Sequence, residues 1–298
     1  MEKQRLLISY AHPDDETFGQ GGQIMRSVDE GREVYVICAT NGDSGTVAPE
    51  LLNGYASVAE LRLAELQCAA EKLGITQVIT LGYRDSGMMG DVANNNHPDS
   101  LWQAPREEVA RRVVEVIRRV RPHVVVTFNE YGGYGHPDHI AIQRATTDAF
   151  FLAGDETYVT DGLAPYAPQK LYYSAMSTFQ LRWYVRYMRL RGRDPRRVGR
   201  NKDIDLYAIL ENNNNPIHAR VDVRDYLERW DEVNNCHKSQ LGGGRGRYPL
   251  WLRKLFFNKQ MYSRIYPEPE SDDINEDDLF AGVELAPDDN RVMEAAHE

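Results

Sequence analysis

Arg5-Leu-Leu-Ile-Ser-Tyr10 runs directly into Ala11-His-Pro-Asp-Asp-Glu16, and this junction decides the fold. The first six residues are a short apolar run that halts at a proline. Helical spacing follows over about residues 21–30, closed by Gly31 as a C-cap. A strand ending in a polar turn that opens a helix is the first half of a strand–helix–strand unit. Glu33-Val-Tyr-Val-Ile-Cys-Ala-Thr40 supplies the next strand, continuous and β-branched as in a strand buried on both faces. Asn41-Gly-Asp-Ser-Gly45 reads as loop. Val58, Leu61, Ala64, Leu66, Ala69 and Leu73 recur near helical spacing, stopped by Gly74. Residues 77–81 read as a third strand. Pro105 suits a first helical turn, and Val109, Val113, Val116, Ile117 and Val120 stripe the helix behind it. His123-Val-Val-Val-Thr-Phe128 is the fourth strand, residues 137–152 the next helix, and residues 171–175 a fifth strand. This alternation predicts an α/β, Rossmann-like three-layer fold with a mostly parallel sheet. Ligands in such sheets bind beyond the carboxyl ends of the strands, where strand order reverses. The first and fourth strands are followed by the unusual polar residues, so a site is expected there.

Composition sets the outer limits. The 298 residues are 42% hydrophobic and 27% charged, as in an ordinary globular chain able to bury a sizeable core. No apolar run approaches the 20 or so residues of a membrane span, and residues 1–5 lead into too short an apolar run for a signal peptide. Cys38, Cys68 and Cys236 lie far apart and form no CxxC pair. They predict free thiols in a reducing cytoplasm, with Cys236 a buried thiol. The net charge of −10 is uneven. Residues 267–298 hold 12 acids and one arginine, which leaves 34 basic and 33 acidic residues for the body. Residues 267–298 are therefore expected to be a flexible, solvated tail, dispensable to activity. A neutral body argues against nucleic acid as the partner.

Beyond residue 176 the pattern weakens. Residues 181–202 hold eight Arg and one Lys against one Asp, interleaved with Trp183, Tyr184 and Tyr187. They are expected to form a lid or a subunit interface within a domain of residues 1–240. Residues 241–266 read as a basic, aromatic extension of that domain. Between these segments, residues 217–221 suggest a last strand, and Asp222 an N-cap for a helix to about His237.

The chemistry lies in two motifs, His12-Pro-Asp-Asp-Glu16 and Gly135-His-Pro-Asp-His139. Each offers ligand-type groups at i and i+3, which share one side of a turn that opens a helix. One imidazole and one carboxylate from the first motif, with one imidazole from the second, make a His/Asp/His set. Three protein ligands with a fourth position for water is the pattern of a catalytic zinc site, though iron, cobalt or manganese also suit it. A spare carboxylate can then act as general base and a spare imidazole can assist the oxyanion or the leaving group. Residue type alone does not choose between Asp14 and Asp15. A third copy, His97-Pro-Asp99, reads as a plain loop.

These two motifs resemble the signatures of the LmbE-like, or PIG-L, zinc deacetylases. Arg62-Leu-Ala-Glu65 resembles the family's Arg-x-x-Glu helix. Tyr83-Arg-Asp-Ser-Gly-Met88, Pro122-His-Val-Val-Val126 and Gly132-Gly-Tyr-Gly-His136 resemble the mycothiol-pathway branch of deacetylases and amidases. Cys236-His-Lys-Ser-Gln240 is similar to a late His-x-Ser-Gln segment. The likeness covers residues 5–150 well and 217–240 loosely. It implies that His12, Asp15 and His139 hold one Zn2+, that Asp14 is the general base, and that His136 stabilises the oxyanion or protonates the amine. Arg62 and Asp85 would contact sugar hydroxyls, with Tyr134 close by. Asp138 would hold a ligand imidazole in its tautomer, Glu16 would be a helix N-terminal carboxylate, and His237 and His218 would be structural. The implied activity is deacetylation of an N-acetylglucosamine-type small molecule. The alternatives are an amidase for a thiol conjugate or another acylated small molecule, or a non-catalytic carbohydrate-binding relative. A two-metal phosphoesterase lacks ligands for its second ion. A homo-oligomer is compatible with the aromatic segments.

Overall fold

The computed structural model describes residues 3–199, 201–240 and 249–285. β1 (Arg5–Tyr10) is followed by α1 (Asp15–Asp29), β2 (Glu33–Thr40), α2 (Val58–Leu73), β3 (Gln77–Tyr83), the one-turn α3 (Val92–Asn95), α4 (Arg106–Val120) and β4 (Val124–Thr127). A kinked turn, α5 (Gly132–Gly135), leads into α6 (Pro137–Leu152) and β5 (Lys170–Ala175). Then come α7 (Thr178–Leu190), α8 (Leu206–Asn212), β6 (Ala219–Asp222), α9 (Leu227–Asn234), α10 (Leu250–Phe256) and β7 (Lys259–Tyr266).

The strands form one sheet in the order β3-β2-β1-β4-β5-β7-β6. β1 to β5 are parallel, and β7 runs antiparallel to both β5 and β6. Leu6 pairs with Val124 and Ile8 with Val126 across the β1–β4 seam. The chain turns to opposite sides of the sheet at this seam, so it is the topological switch point. Both motif loops leave from it. The apolar runs of β1, β2 and β4 are buried on both faces, as their continuous character requires. α4 covers one face with Val109, Val113, Val116, Ile117 and Val120. α2 starts where the Ser57 hydroxyl accepts the Glu60 N–H at 3.1 Å, and it ends at Gly74 with φ 75°. α1 begins six residues ahead of the expected start, because Asp14 rather than Gly21 opens it.

Four expectations need correction. First, residues 259–266 are no extension: β7 lies inside the sheet between β5 and β6. Its polar Gln260 and Ser263 are buried and satisfied, by the Gln23 N–H and the Pro216 carbonyl respectively. Second, the acidic segment is not a free tail over residues 276–283. Leu279 and Phe280 are buried, the Glu276 carboxylate takes Lys170 at 2.6 Å and Arg264 at 2.7 Å, and Asp278 takes Arg32 at 2.6 Å. Acidic side chains pair here with body cations that a count of charges had balanced elsewhere. Third, Cys68 and Cys236 form a disulfide with Cα atoms 5.8 Å apart, joining α2 to the end of α9. Packing of two helices brings together residues 168 apart in sequence, and Cys38 is left as the buried free thiol. The argument for a reducing compartment from unpaired cysteines falls with it. Fourth, the helix expected from Asp222 to about His237 is a short 3-10 turn and α9. Residues 241–248 and 286–298 of the basic and acidic segments lie outside the described residues. No helix among the described residues is long and apolar enough to cross a membrane.

Candidate active site

The first motif turns at the end of β1. The Asp14 and Asp15 amides both donate to the His12 carbonyl, and the His12 amide donates to Asp15 Oδ2 at 2.7 Å. The second motif opens α6, where His136 caps the helix and Pro137 occupies its first turn. Across the β1–β4 seam these two turns face each other.

Three atoms converge between them. His12 Nδ1 lies 3.1 Å from His139 Nε2, and Asp15 Oδ2 lies 3.4 Å from each. The opposite ring nitrogens decide what these atoms are. His139 Nδ1 donates to the Gly132 carbonyl at 3.0 Å, and His12 Nε2 donates to Asp138 Oδ2 at 3.2 Å. A carbonyl and a carboxylate only accept, so the ring protons are assigned to those nitrogens. His12 Nδ1 and His139 Nε2 then present lone pairs to each other and to the carboxylate. Burial opposes charge on the His12 ring, but Asp85, Asp138 and Asp15 outweigh it and draw a proton toward that ring. Burial likewise raises the Asp15 carboxyl, but His139 and His12 outweigh it and hold it well below its usual range, so these atoms call for a positive charge among them. Three electron pairs meeting at one point repel unless a cation lies among them. The edges of a tetrahedron around zinc, with ligands about 2.0–2.1 Å from the ion, are about 3.3–3.4 Å. The donor set therefore fits a divalent first-row metal. His12, Asp85, His136 and Asp138 also bring ligand-type atoms within 4.8 Å of one another, so the His/Asp cluster extends behind the triad.

The groups around the triad hold it in place. Asp138 is fully buried and takes the Ser86 amide at 2.9 Å and the Ser86 hydroxyl, as well as the His12 ring. Ser86 belongs to the Tyr83-Arg-Asp-Ser-Gly-Met88 segment, yet sequence reasoning gave it no role. Gly132 has φ 65°, and a Cβ on it would lie 2.6 Å from the His139 Cβ, so only glycine lets its carbonyl meet that ring. The loop is held by the Asn129 side chain, which accepts the Gly133 amide at 2.8 Å.

Asp14 stands beside the triad at φ 154°, a backbone conformation that L-residues rarely adopt. Arg62 reaches its Oδ2 at 3.1 Å. Burial is the larger influence, and it lifts the Asp14 carboxyl to about 6 against the pull of Arg62. Such a group exchanges protons near neutral pH. His136 is neutral: burial, then His12 and His139, hold it well below its usual value. Its Nδ1 accepts the Asp138 amide at 3.2 Å, which assigns the ring proton to Nε2. The Tyr134 ring meets the His139 ring edge-on at 4.9 Å. Burial and nearby Asp15 push its phenol far up, so it keeps its O–H.

Arg62 is placed differently from the sugar contact expected of it. It is 3% exposed, and its N–H groups reach the Gly42 and Pro13 carbonyls at 2.9 and 3.2 Å. Its guanidinium thus braces the first motif from the protein side. Asp85 is also buried, accepting the Gly87 amide at 2.8 Å and lying 3.6 Å from Arg62. Glu16 and His237, read as bland, form a buried pair at 2.9 Å behind Asp14. The His237-Lys-Ser-Gln240 segment was the only sequence signal for that contact. A cavity of about 510 Å3 opens above the triad, with Asp15, His139 and Tyr134 at its floor and Phe18, Trp230 and Met261 in its walls.

The sheet places its switch point at two His-Pro-Asp turns, with a carboxyl of raised pKa beside convergent ligand-type groups. The family model for GlcNAc-PI de-N-acetylase (PIG-L) matches residues 7–150. A 1D-myo-inositol 2-acetamido-2-deoxy-alpha-D-glucopyranoside deacetylase from Geodermatophilus obscurus is 35% identical over 94% of this chain and 98% of its own. Among solved structures, the N,N'-diacetylchitobiose deacetylase of Pyrococcus horikoshii has TM-score 0.59 at 19% identity, covering 91% of this chain and 88% of that one. A 4-carboxy-2-hydroxymuconate hydratase from Pseudomonas putida has TM-score 0.57 at 16% identity, covering 90% and 98%. The two structural likenesses establish the shared fold alone, and the fold alone does not select the reaction. The chain belongs to the PIG-L, or LmbE-like, deacetylase family, and it is an enzyme that hydrolyses amide bonds.

Proposed function

We propose that this enzyme removes the acetyl group from an N-acetylglucosamine-type amide, with an inositol conjugate of that sugar as the leading substrate class, and that it uses one zinc ion. The observation that carries the reading is the convergence of His12 Nδ1, Asp15 Oδ2 and His139 Nε2 beside the strained Asp14. The substrate class is supported by the relative's name and by its similarity over almost the whole of both chains.

His12, Asp15 and His139 would hold the metal. When bound it supplies a Lewis acid for the amide carbonyl and a lowered pKa for water. Asp14 accepts the proton of the attacking water, and its raised carboxyl can return that proton to the departing nitrogen. His136 Nε2–H and the Tyr134 hydroxyl donate to the oxygen where negative charge develops. Arg62 keeps the Asp14 carboxylate turned toward the water. Water adds across the C–N bond, giving acetate and a free amine. The cavity walls of Phe18, Trp230 and Met261 are suited to packing against a sugar ring and to excluding bulk water.

The test couples metal content with acetate release. The purified protein is assayed for bound metal, then offered N-acetylglucosamine, its inositol conjugate and chitobiose while free amine is measured. About one equivalent of zinc with acetate released from one of these sugars supports the reading. Metal without turnover of any sugar rejects the sugar and points to thiol conjugates or other acyl amides. Failure to take up any first-row metal on reconstitution rejects the mechanism in favour of a binding role.

A further inference from the structure

The rim of the cavity carries a surface that the chemistry does not use. Met176, Ser177 and Gln180 line the cavity where α7 begins, and Lys259 lines it at the start of β7, three residues past the end of α10. The Gln180 amide donates to the Phe256 carbonyl at 2.9 Å, tying the two helices together. α7 turns Val185 and Met188 inward against Leu206 and Ile209. Its outer face carries Phe179, Trp183, Tyr187 and Leu190, 68, 55, 50 and 87% exposed. Their spacing of i, i+4, i+8 and i+11 puts them on one stripe. Trp251, Leu255 and Phe256 on α10 are equally exposed. Single exposed apolar residues are ordinary, but seven large ones on two linked helices mark an interaction surface. Arg182, Arg186 and Arg189, at i, i+4 and i+7, form the stripe alongside, and Arg186 lies 5.1 Å over the Trp183 ring. Residues 181–199 hold seven arginines against one aspartate.

We propose that this rim docks on an anionic lipid bilayer, with the aromatic and leucine side chains in the boundary between headgroups and acyl chains and the arginines on lipid phosphates. Charge and chemistry together choose this occupant. A second copy packed with its α7 antiparallel about a twofold axis would bring arginine stripe against arginine stripe. An acidic polymer would satisfy the arginines but leave Leu190 and Leu255 in water. An anionic bilayer supplies both an apolar layer and negative charge to an Arg-rich amphipathic helix. Docked in this way, the cavity mouth opens at the lipid–water boundary, so an amide carried on a lipid or held at its surface enters directly. The proposal concerns the rim and goes beyond the sugar reading.

The experiment is co-sedimentation of the full-length protein with vesicles of phosphatidylcholine alone or mixed with phosphatidylglycerol. Binding is expected to the mixed vesicles and not the neutral ones, and to weaken as salt rises. Two triple variants, Phe179→Ser/Trp183→Ser/Leu190→Ser and Arg182→Glu/Arg186→Glu/Arg189→Glu, should each weaken binding by about a hundredfold. Melting temperature and metal content should match the unaltered protein, so the readout is independent of the substrate. No binding to anionic vesicles overturns the proposal. Binding that the arginine variant loses and the serine variant keeps also overturns it, since no side chain then enters the apolar layer. A dimer in sedimentation velocity that the serine variant dissolves, without vesicle binding, means that a second copy covers the face instead.

Discussion

Replacing His237 with alanine tests whether the pair behind Asp14 shapes catalysis or merely packs. Glu16 Oε1 takes His237 Nε2 at 2.9 Å and the Thr17 hydroxyl at 2.5 Å, while Oε2 takes the Asp14 amide at 3.0 Å. Glu16 and His237 are 1% and 0% exposed. Burial opposes a charged imidazole, but Glu16 outweighs it and raises His237 above its usual value. The contact favours the protonated imidazole, and removing the ring leaves the buried Glu16 carboxyl short of a donor. That costs about 1–3 kcal/mol of stability. The same carboxylate holds the amide of a residue whose backbone conformation is itself strained by about 1–3 kcal/mol, so Asp14 relaxes when its anchor shifts. A displacement of about 1 Å costs about a hundredfold in turnover. His237→Ala is expected to lower kcat of the folded, metal-loaded enzyme by about 10- to 100-fold, with KM changed by less than about twofold, because no substrate contact is removed. His237→Gln restores a donor to Glu16 and should recover most of kcat. Steady-state kinetics below the melting transition, with metal content and denaturant unfolding in parallel, provide the readout. A variant that loses stability while its folded fraction keeps full kcat would refute the positioning role.

Asp14→Asn should retain zinc and lose about 10²- to 10⁴-fold in kcat; loss of the metal instead would mean that Asp14 and Asp15 have exchanged roles. His139→Ala should strip the metal, and full zinc occupancy in that variant sinks the ligand assignment. Ending the chain at Tyr266 removes buried Leu279 and Phe280 and should destabilise the fold by about 3–6 kcal/mol, measured by denaturant unfolding. Burial pushes the Glu276 carboxyl up, but Lys170, Tyr172 and Arg264 outweigh it and lower it, so the stability it contributes is full above its unfolded value near 4.5 and is lost as pH falls through its lower folded value. Melting temperatures followed from pH 7 to about 3 should show that acid loss, and Glu276→Gln should flatten it. Thiol titration of the denatured, unreduced chain should find Cys38 alone, and all three cysteines after reduction; three before reduction would rule out the Cys68–Cys236 bond.

The parallel half of the sheet was legible because its strands are apolar on both faces and each is closed by a proline, glycine or polar turn. β1, β2 and α6 fall on the predicted residues for that reason. The two motifs were legible because nothing structural requires doubled ligand-type residues after two buried strands. β7 was not, since Gln260 and Ser263 break its apolar pattern and find partners far along the chain. The part played by Arg62 was hidden in the same way. A helix pattern says that Arg62 lies on α2, but only the fold shows Gly42 vacating the space its guanidinium fills: a Cβ there would lie 2.4 Å from it. Glu16 and His237 meet across 221 residues, and the His237-Lys-Ser-Gln240 segment was the only sequence signal there.

Charge around the triad explains why these scattered contacts belong together. Asp14, Asp15, Asp85 and Asp138 bring four carboxylates into a space from which water is largely removed, and Arg62 is the guanidinium among them. Unpaired buried charge is costly, and the usual relief is protonation or a cation. The protein divides that relief unequally. His139 and His12 hold the Asp15 carboxyl well below its usual range, whereas Asp14 rises toward neutrality, and Asp138 accepts the His12 ring and the Ser86 amide. A divalent ion at the triad would offset part of that negative charge, and the raised Asp14 carboxyl beside it is placed to take and return a proton. The same residue that reaches Arg62 is the one with the unusual backbone, at φ 154°. In the proposed mechanism ligand and base are adjacent in sequence yet opposite in role, and Arg62 and Glu16, which touch Asp14, set the two aspartates apart.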